Sequence, residues 1–443
     1  MNFSNVKRTG LGIAASLGAL ALTTAPAFAA APKIDSGDTA WMITSSALVL
    51  LMTIPGLALF YAGMVRKKNI LATAAQSFGA TCIITVLWMI IGYSAAFTNN
   101  PDAGINKFIG GFNYFLLGPM GLNATSSLAP TIPESVYMFF QMTFAIITPA
   151  LIAGAIADRM KFSAFMWFMS LWLLLVYVPI AHWVWGGGFL GQWGALDYAG
   201  GTVVHLNAGT AGLVACLMLG KRVGYGTENM APHNLLFALI GASLLWVGWF
   251  GFNAGSAVTA NVNAGMAAAA TQIATAAAAL GWMFAEWIIN KKPSVLGMIS
   301  GAVAGLVAIT PASGFVNPVG ALIIGVSAGV VCYVASVWVK KALGYDDALD
   351  TWGVHGVGGA LGAMMTGMFA SNAINSSSKG WLIDGNFGQM WIQFLDVAIV
   401  FGYCAVATFI ILKAIDLVIG IRVSREVEVE GLDINLHGET IHG

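Results

Sequence analysis

Two histidines interrupt long apolar runs in the same local frame. Val204-His205-Leu206-Asn207-Ala208-Gly209-Thr210-Ala211-Gly212 and Val354-His355-Gly356-Val357-Gly358-Gly359-Ala360-Leu361-Gly362 both read V-H-x-x-x-G-x-x-G. An ionisable side chain at membrane depth is costly, so by default it marks a path or a site. Imidazole titrates near neutral pH and can hold or pass a proton. Two imidazoles in matching frames fit an internally duplicated membrane protein with a histidine pair near the midplane. The chemistry expected is conduction of something that binds or yields protons. The bland alternative is chance recurrence of the frame in a Gly- and Val-rich chain.

Other side chains gather around that theme. Asp197 stands eight residues before His205, at the start of a helix. There a carboxylate can cap backbone N–H groups and favour the positive end of the helix dipole. At about 1.5 Å per residue it lies about 12 Å from His205, so it acts on the entrance rather than on the imidazole. A fixed negative charge below a mouth also attracts and steadies a cation. Trp185 belongs either to an interfacial aromatic belt or to a cation–π surface. Phe140 and Phe144 are four residues apart and share a helix face. With Phe252 and Ser256 they are either core aromatics or rings closing a narrow pore beneath one hydroxyl acceptor.

The elements that must hold these residues are membrane helices. The chain has 443 residues, 58% hydrophobic and 9% charged, with a mean hydropathy of +0.80. Soluble domains carry about 25% charge, so the expected class is an all-α polytopic membrane protein. Zero net charge gives no reason to expect nucleic acid. Cys82, Cys216, Cys332 and Cys404 lie in apolar runs with no C-x-x-C and read as small buried hydrophobes. No metal site and no cofactor is expected.

About eleven spans are expected, at 41–64, 70–97, 134–157, 163–183, 199–220, 235–254, 264–290, 295–310, 318–340, 350–370 and 389–420. Arg66, Lys67, Lys68, Arg159, Lys161, Lys221, Arg222, Lys291, Lys292, Lys340, Lys341, Arg422 and Arg425 fall in alternate loops and the tail. The positive-inside rule puts these in the cytoplasm, with the N-terminus outside and the C-terminus inside. Helices one to five then repeat, inverted, as six to ten, which pairs His205 with His355. Residues 1–29 read as a cleaved signal peptide: Lys7 and Arg8, an apolar run, then Ala27-Phe28-Ala29. Residues 30–420 form the transmembrane domain. Residues 421–443 are a polar cytoplasmic tail, either a disordered end or a docking segment for a soluble regulator.

Five ordered motifs then become specific: F-Q-x-x-F (140–144), A-H-x-V-W-G-G-G (181–188), A-L-D-x-A-G-G-T-V-V-H-x-N (195–207), G-W-F-G-F-N-A-G-S-A (248–257) and G-V-H-G-V (353–357). Together they resemble the Amt/MEP/Rh ammonium transporter family, on its bacterial Amt branch, over nearly the whole mature chain. The resemblance implies ammonium recruitment by Phe144, Trp185 and Ser256, and a gate of Phe144 and Phe252. It implies twin pore histidines, His205 and His355, and a required acid, Asp197. It implies a homotrimer in a bacterial inner membrane whose tail docks a PII-type signalling protein. The mechanism expected is deprotonation of ammonium at the mouth, ammonia passing an apolar pore, and a proton relay giving net ammonium uptake. An ammonium sensor and a neutral gas channel are the competing functions. No H-E-x-x-H, G-x-G-D or G-x-x-x-x-G-K-[ST] occurs, so neither an intramembrane enzyme nor an ATP-driven pump is expected.

Overall fold

A computed structural model describes residues 33–441. The expected signal peptide lies outside the described residues. Among these residues nine helices are long and apolar enough to cross a membrane: α1 (Ser36–Met64), α2 (Lys67–Phe97), α3 (Glu134–Ile156), α4 (Phe162–Gln192), α5 (Gly201–Leu219), α6 (Leu235–Gly255), α7 (Val262–Asn290), α9 (Pro318–Leu343) and α11 (Gly388–Ile419). Two more complete the order. Helix α8 (Val295–Ile309) has 15 residues, short of the roughly 20 that a span needs. Helix α10 opens as Trp352–Gly356 and runs on as Val357–Phe369; His355 and its glycines dilute its apolar character. All eleven expected segments are helical, in the expected order. Helix α4 outruns its expected end because the chain turns at Trp185–Gly188 and adds a last turn, Phe189–Gln192.

Helices α3 and α5 form the interior. Almost every α3 side chain is buried, with Phe140, Phe144, Ala145, Ile152 and Ala153 at 1% exposure or less. By contrast α7, α9 and α11 present Ile288, Val319, Trp391, Phe394 and Leu417 outward. That pattern suits an apolar solvent, in which helices satisfy their own backbone groups. Small residues let α7, α8 and α9 pack closely. Ala270, Ala274 and Ala278 meet Ala308, Ala321, Ile324 and Ala328, the usual solution where lipid offers no hydrophobic drive.

Helices α5 and α10 open alike. Each begins with a π-type turn that contains its histidine, Gly201–Leu206 around His205 and Trp352–Gly356 around His355. Such turns widen the helix and recur at functional sites. The two helices cross closely at Gly209, where a Cβ would come within 2.2 Å of the Gly356 nitrogen. Glycine at that point is what brings the imidazoles together.

The segment between α2 and α3 is pinned rather than loose. Both ring nitrogens of the buried His182 face backbone carbonyls, Ala96 O at 2.8 Å and Asn106 O at 2.6 Å. Tyr93 and Tyr114 both donate to the Glu134 carboxylate. The tail is ordered as well. Val423 N donates to Arg159 O, Val223 N to Glu428 Oε1, Leu432 N to Asn69 Oδ1 and Ala72 N to Asp433 Oδ1. The alternative of a disordered end does not hold for residues 421–441.

Candidate functional site

Five aromatic rings stand in a column. Trp185 meets Phe144 edge-on at 5.9 Å between centroids, and Phe144 lies 4.2 Å from Phe252. Phe252 stacks on His205 at 5.8 Å, and His205 on His355 at 5.4 Å. The histidines approach through their Nδ1 atoms, 3.3 Å apart. One ring must then carry the Nδ1 proton and the other accept it. Both rings are buried, and His205 Nε2 has no hydrogen-bond partner among the described residues.

A cavity of about 270 Å³ opens at the Trp185 end, lined by Tyr137, Phe140, Gln141, Phe144, Trp185 and Ser256 among others. A second, of about 150 Å³, reaches His355 from the tail end, past Phe60, Tyr61, Asp350 and Val354. Phe144 and Phe252, at 1% and 0% exposure, stand between Trp185 and His205 in the column. Ser256 donates its hydroxyl hydrogen to Phe252 O at 2.8 Å. Its oxygen lone pairs are left to face the first cavity.

Asp197 organises this end. Its carboxylate accepts from Gly200 N (2.8 Å), Gly201 N (2.6 Å), Thr202 N (2.9 Å), Thr202 Oγ1 (2.8 Å) and Val203 N (3.1 Å). The expected cap is present, and it satisfies the otherwise unpaired donors that begin α5. Gly200 takes φ +112°, a conformation L side chains rarely adopt, and so lets the chain fold back under the carboxylate. The Trp185 indole donates to Asp197 O at 2.8 Å. One residue thus caps α5 and fixes the ring at the mouth. Asp197 does not line the cavity itself.

The structure brings together Phe144, Trp185, Ser256, Phe252, His205 and His355, and keeps Asp197 beside them. Three contributors escaped the sequence. Trp249 stacks on His205 at 5.3 Å; it stands three residues before Phe252, one turn back on the same face. Gln141 lines the cavity with its Oε1 unpartnered. Asp347 stands eight residues before His355, the spacing of Asp197 to His205, and it accepts from Thr351 N (3.1 Å) and Trp352 N (2.7 Å). That recurrence was the signal that could have found it. Burial, with Asp350 adding, pushes the Asp347 carboxyl up to about 6 against the pull of Lys340. Burial would also raise its neighbour Asp346, but the Arg222 guanidinium bonding it at 2.7 Å holds it below the usual carboxylate range.

A family model described as the Ammonium Transporter Family matches residues 40–442. The chain belongs to that family. It is a family of transporters, not of enzymes. This transporter is 48% identical over 406 residues to the ammonium transporter of Bacillus subtilis, covering 92% of this chain and 98% of that one. It is 49% identical over 422 residues to the ammonium transporter of Aquifex aeolicus, covering 95% and 96%. Among solved structures it resembles Saccharomyces cerevisiae Mep2, with a TM-score of 0.83, 35% identity and coverage of 89% and 88%. It also resembles a structure titled Sensor Amt Protein, with a TM-score of 0.82, 28% identity and coverage of 90% and 98%.

Proposed function

We propose that this multi-pass membrane protein, whose function is ammonium transport, works by separating ammonium into ammonia and a proton at the Trp185 cavity. The observation that carries the reading is the ring column, closed by Phe144 and Phe252 and ending in the His205–His355 contact. Ammonium enters the cavity against the faces of Trp185 and Phe144 and gives one hydrogen bond to Ser256. A cation–π contact contributes about 0.5–2 kcal/mol, more as water leaves. Moving the bare cation further, among buried rings, costs on the order of several kcal/mol. Loss of a proton removes that cost. Potassium has no proton to lose, and this difference gives selectivity. Ammonia then crosses the gate and meets the imidazoles, whose ring nitrogens replace its lost hydrogen bonds. The proton follows a route through the histidines and water, so the net movement is ammonium uptake.

The distribution of basic loops supports a Trp185 cavity that faces outward and a tail that faces the cytoplasm. Residues 30–420 are the transport domain and 421–443 a regulatory tail that docks a PII-type signalling protein. The working form is a homotrimer in a bacterial inner membrane, reached by way of a signal peptide spanning 1–29. The deciding experiment is charge movement in proteoliposomes after an ammonium jump, with potassium as control. A current for ammonium and none for potassium is expected. Internal alkalinisation without current would overturn the relay and leave a neutral ammonia channel.

A further inference from the structure

The short helix α8 ends inside the protein, and the end is a junction. Val307, Ala308, Ile309, Thr310 and Ala312 are buried. On the α10 side, a Cβ at Gly358 would come within 3.1 Å of the Val307 side chain, and one at Gly362 would run into Ala308 O. On the α5 side, a Cβ at Gly201 would come within 2.5 Å of the Pro311 ring, and Tyr198 N donates to Pro311 O at 3.1 Å. On the α6 side, the Trp249 indole donates to Thr310 Oγ1 at 2.9 Å. The end of α8 therefore braces both helices that carry a histidine, and one ring that lies on a histidine.

Thr310 is built as a fixed post. Its hydroxyl donates to Leu306 O, four residues back, at 2.7 Å, while the same oxygen accepts from Trp249. The back-bond and the branched Cβ hold χ1, so the acceptor does not move relative to α8. His205 needs such a post. Its Nε2 has no hydrogen-bond partner among the described residues. Beyond the Nδ1 contact with His355, packing alone sets the tilt of its ring. The planes of Trp249, Phe252 and His355 lie 23°, 25° and 26° from its own. Of these three rings, Trp249 is the one hydrogen-bonded to a point outside the column. Turning the imidazole about its Cβ–Cγ bond would carry Nδ1 away from His355.

We infer that Thr310 is a positioning residue for the histidine pair, acting through Trp249. The hydroxyl holds the indole, the indole sets the tilt of His205, and that tilt aims Nδ1 at His355. Pro311, packed on Gly201, steadies the backbone of the same turn. One corner of the chain thus fixes His205 from the ring side and from the backbone side. This rests on the reading above that the histidines serve conduction, and it names the residue outside the column that keeps them usable. Neither Thr310 nor Trp249 lines the Trp185 cavity. Loss of the post therefore acts on passage and not on recruitment, which separates the maximal rate from the half-saturating concentration.

The test uses the intact protein in proteoliposomes, with current scaled to the folded protein present. Thr310→Val keeps the shape and removes the acceptor. It is expected to lower the maximal ammonium current about tenfold, short of the roughly hundredfold that a misplacement of about 1 Å can cost, with the half-saturating concentration unchanged. Thr310→Ser returns the oxygen and should return the current, which guards against a simple folding defect. Trp249→Phe keeps a ring without the N–H and should cost about as much as Thr310→Val. Combining the two should cost no more than either, because they act as one unit. Solid-state NMR of protein carrying nitrogen-labelled histidine reads the geometry itself. A correlation between the two Nδ1 atoms is expected in the wild type, lost in Thr310→Val and regained in Thr310→Ser. An unchanged maximal current or correlation in Thr310→Val, no rescue by Thr310→Ser, or losses that multiply in the combined variant would overturn the inference. The protein with both histidines replaced by Leu keeps the two readings apart. If it too carries full current, the conduction role of the histidines falls; if it does not, a full current in Thr310→Val overturns the positioning role alone.

Discussion

The openings of α5 and α10 use one plan with two outcomes. Each places an acid eight residues before a histidine and caps a π-type first turn. Asp197 is satisfied five times over and has no ion pair among the described residues, and its backbone holds Trp185. Asp347 receives two backbone donors and sits beside Asp350, which pairs with Lys340. His205 is walled by Trp249 and Phe252, while His355 reaches the second cavity. The same helix start therefore holds its acid with five donors at one end, and beside a second carboxylate and a lysine at the other. One helix-opening plan can keep its geometry and still assign its two copies different electrostatic work.

If that contrast is right, Asp197→Ala should do the most damage. It removes the α5 cap and loosens Trp185 together, and small misplacements of a binding group cost about 10²-fold. Transport in proteoliposomes should fall by at least that much, with Asp197→Asn recovering only part. Loss confined to stability, with transport intact, would break the comparison.

The second test concerns the titratable end. The folded-state value of Asp347, about 6, lies above its ordinary 3.8. The folded protein therefore binds the extra proton, and stability declines as pH rises between those values, by about 2–3 kcal/mol in all. Melting temperatures across that range should fall for the wild type and stay flat for Asp347→Asn.

Replacing both His205 and His355 by Leu comes third. Ammonium current should drop about a hundredfold for want of proton-accepting nitrogens, and an unchanged current would overturn the histidine route. The smallest expected effect is Trp185→Leu. Loss of one cation–π face, worth about 1 kcal/mol, should raise the half-saturating ammonium concentration about fivefold and leave the maximal rate nearly unchanged.

Much of this was readable in the chain, for physical reasons. The membrane class follows from charge and hydropathy, and the histidines stand out because an imidazole among apolar residues demands an explanation. The Asp197 cap was legible because helix starts need acceptors. The column was not. Residue spacing along α3 shows that Phe140 and Phe144 share a face, but not that Phe252 of α6 lies 4.2 Å from Phe144. That contact depends on how helices far apart in sequence cross. Asp347 was missed because it sits in an acidic loop, Asp346-Asp347-Ala348-Leu349-Asp350, where one carboxylate looks like another.

The Phe144–Phe252 contact bears on speed as well as on choice. With the two rings touching and fully buried, no standing hole connects the cavities. In the proposed mechanism each passage requires the rings to swing aside and return. Under that proposal the ceiling on flux is a frequency, the rate at which two packed phenyl groups open, rather than the rate at which ammonia diffuses through a tube. Buried rings reorient more slowly than the picoseconds to nanoseconds of exposed side chains. Cooling should therefore slow this protein more steeply than it slows an open water pore.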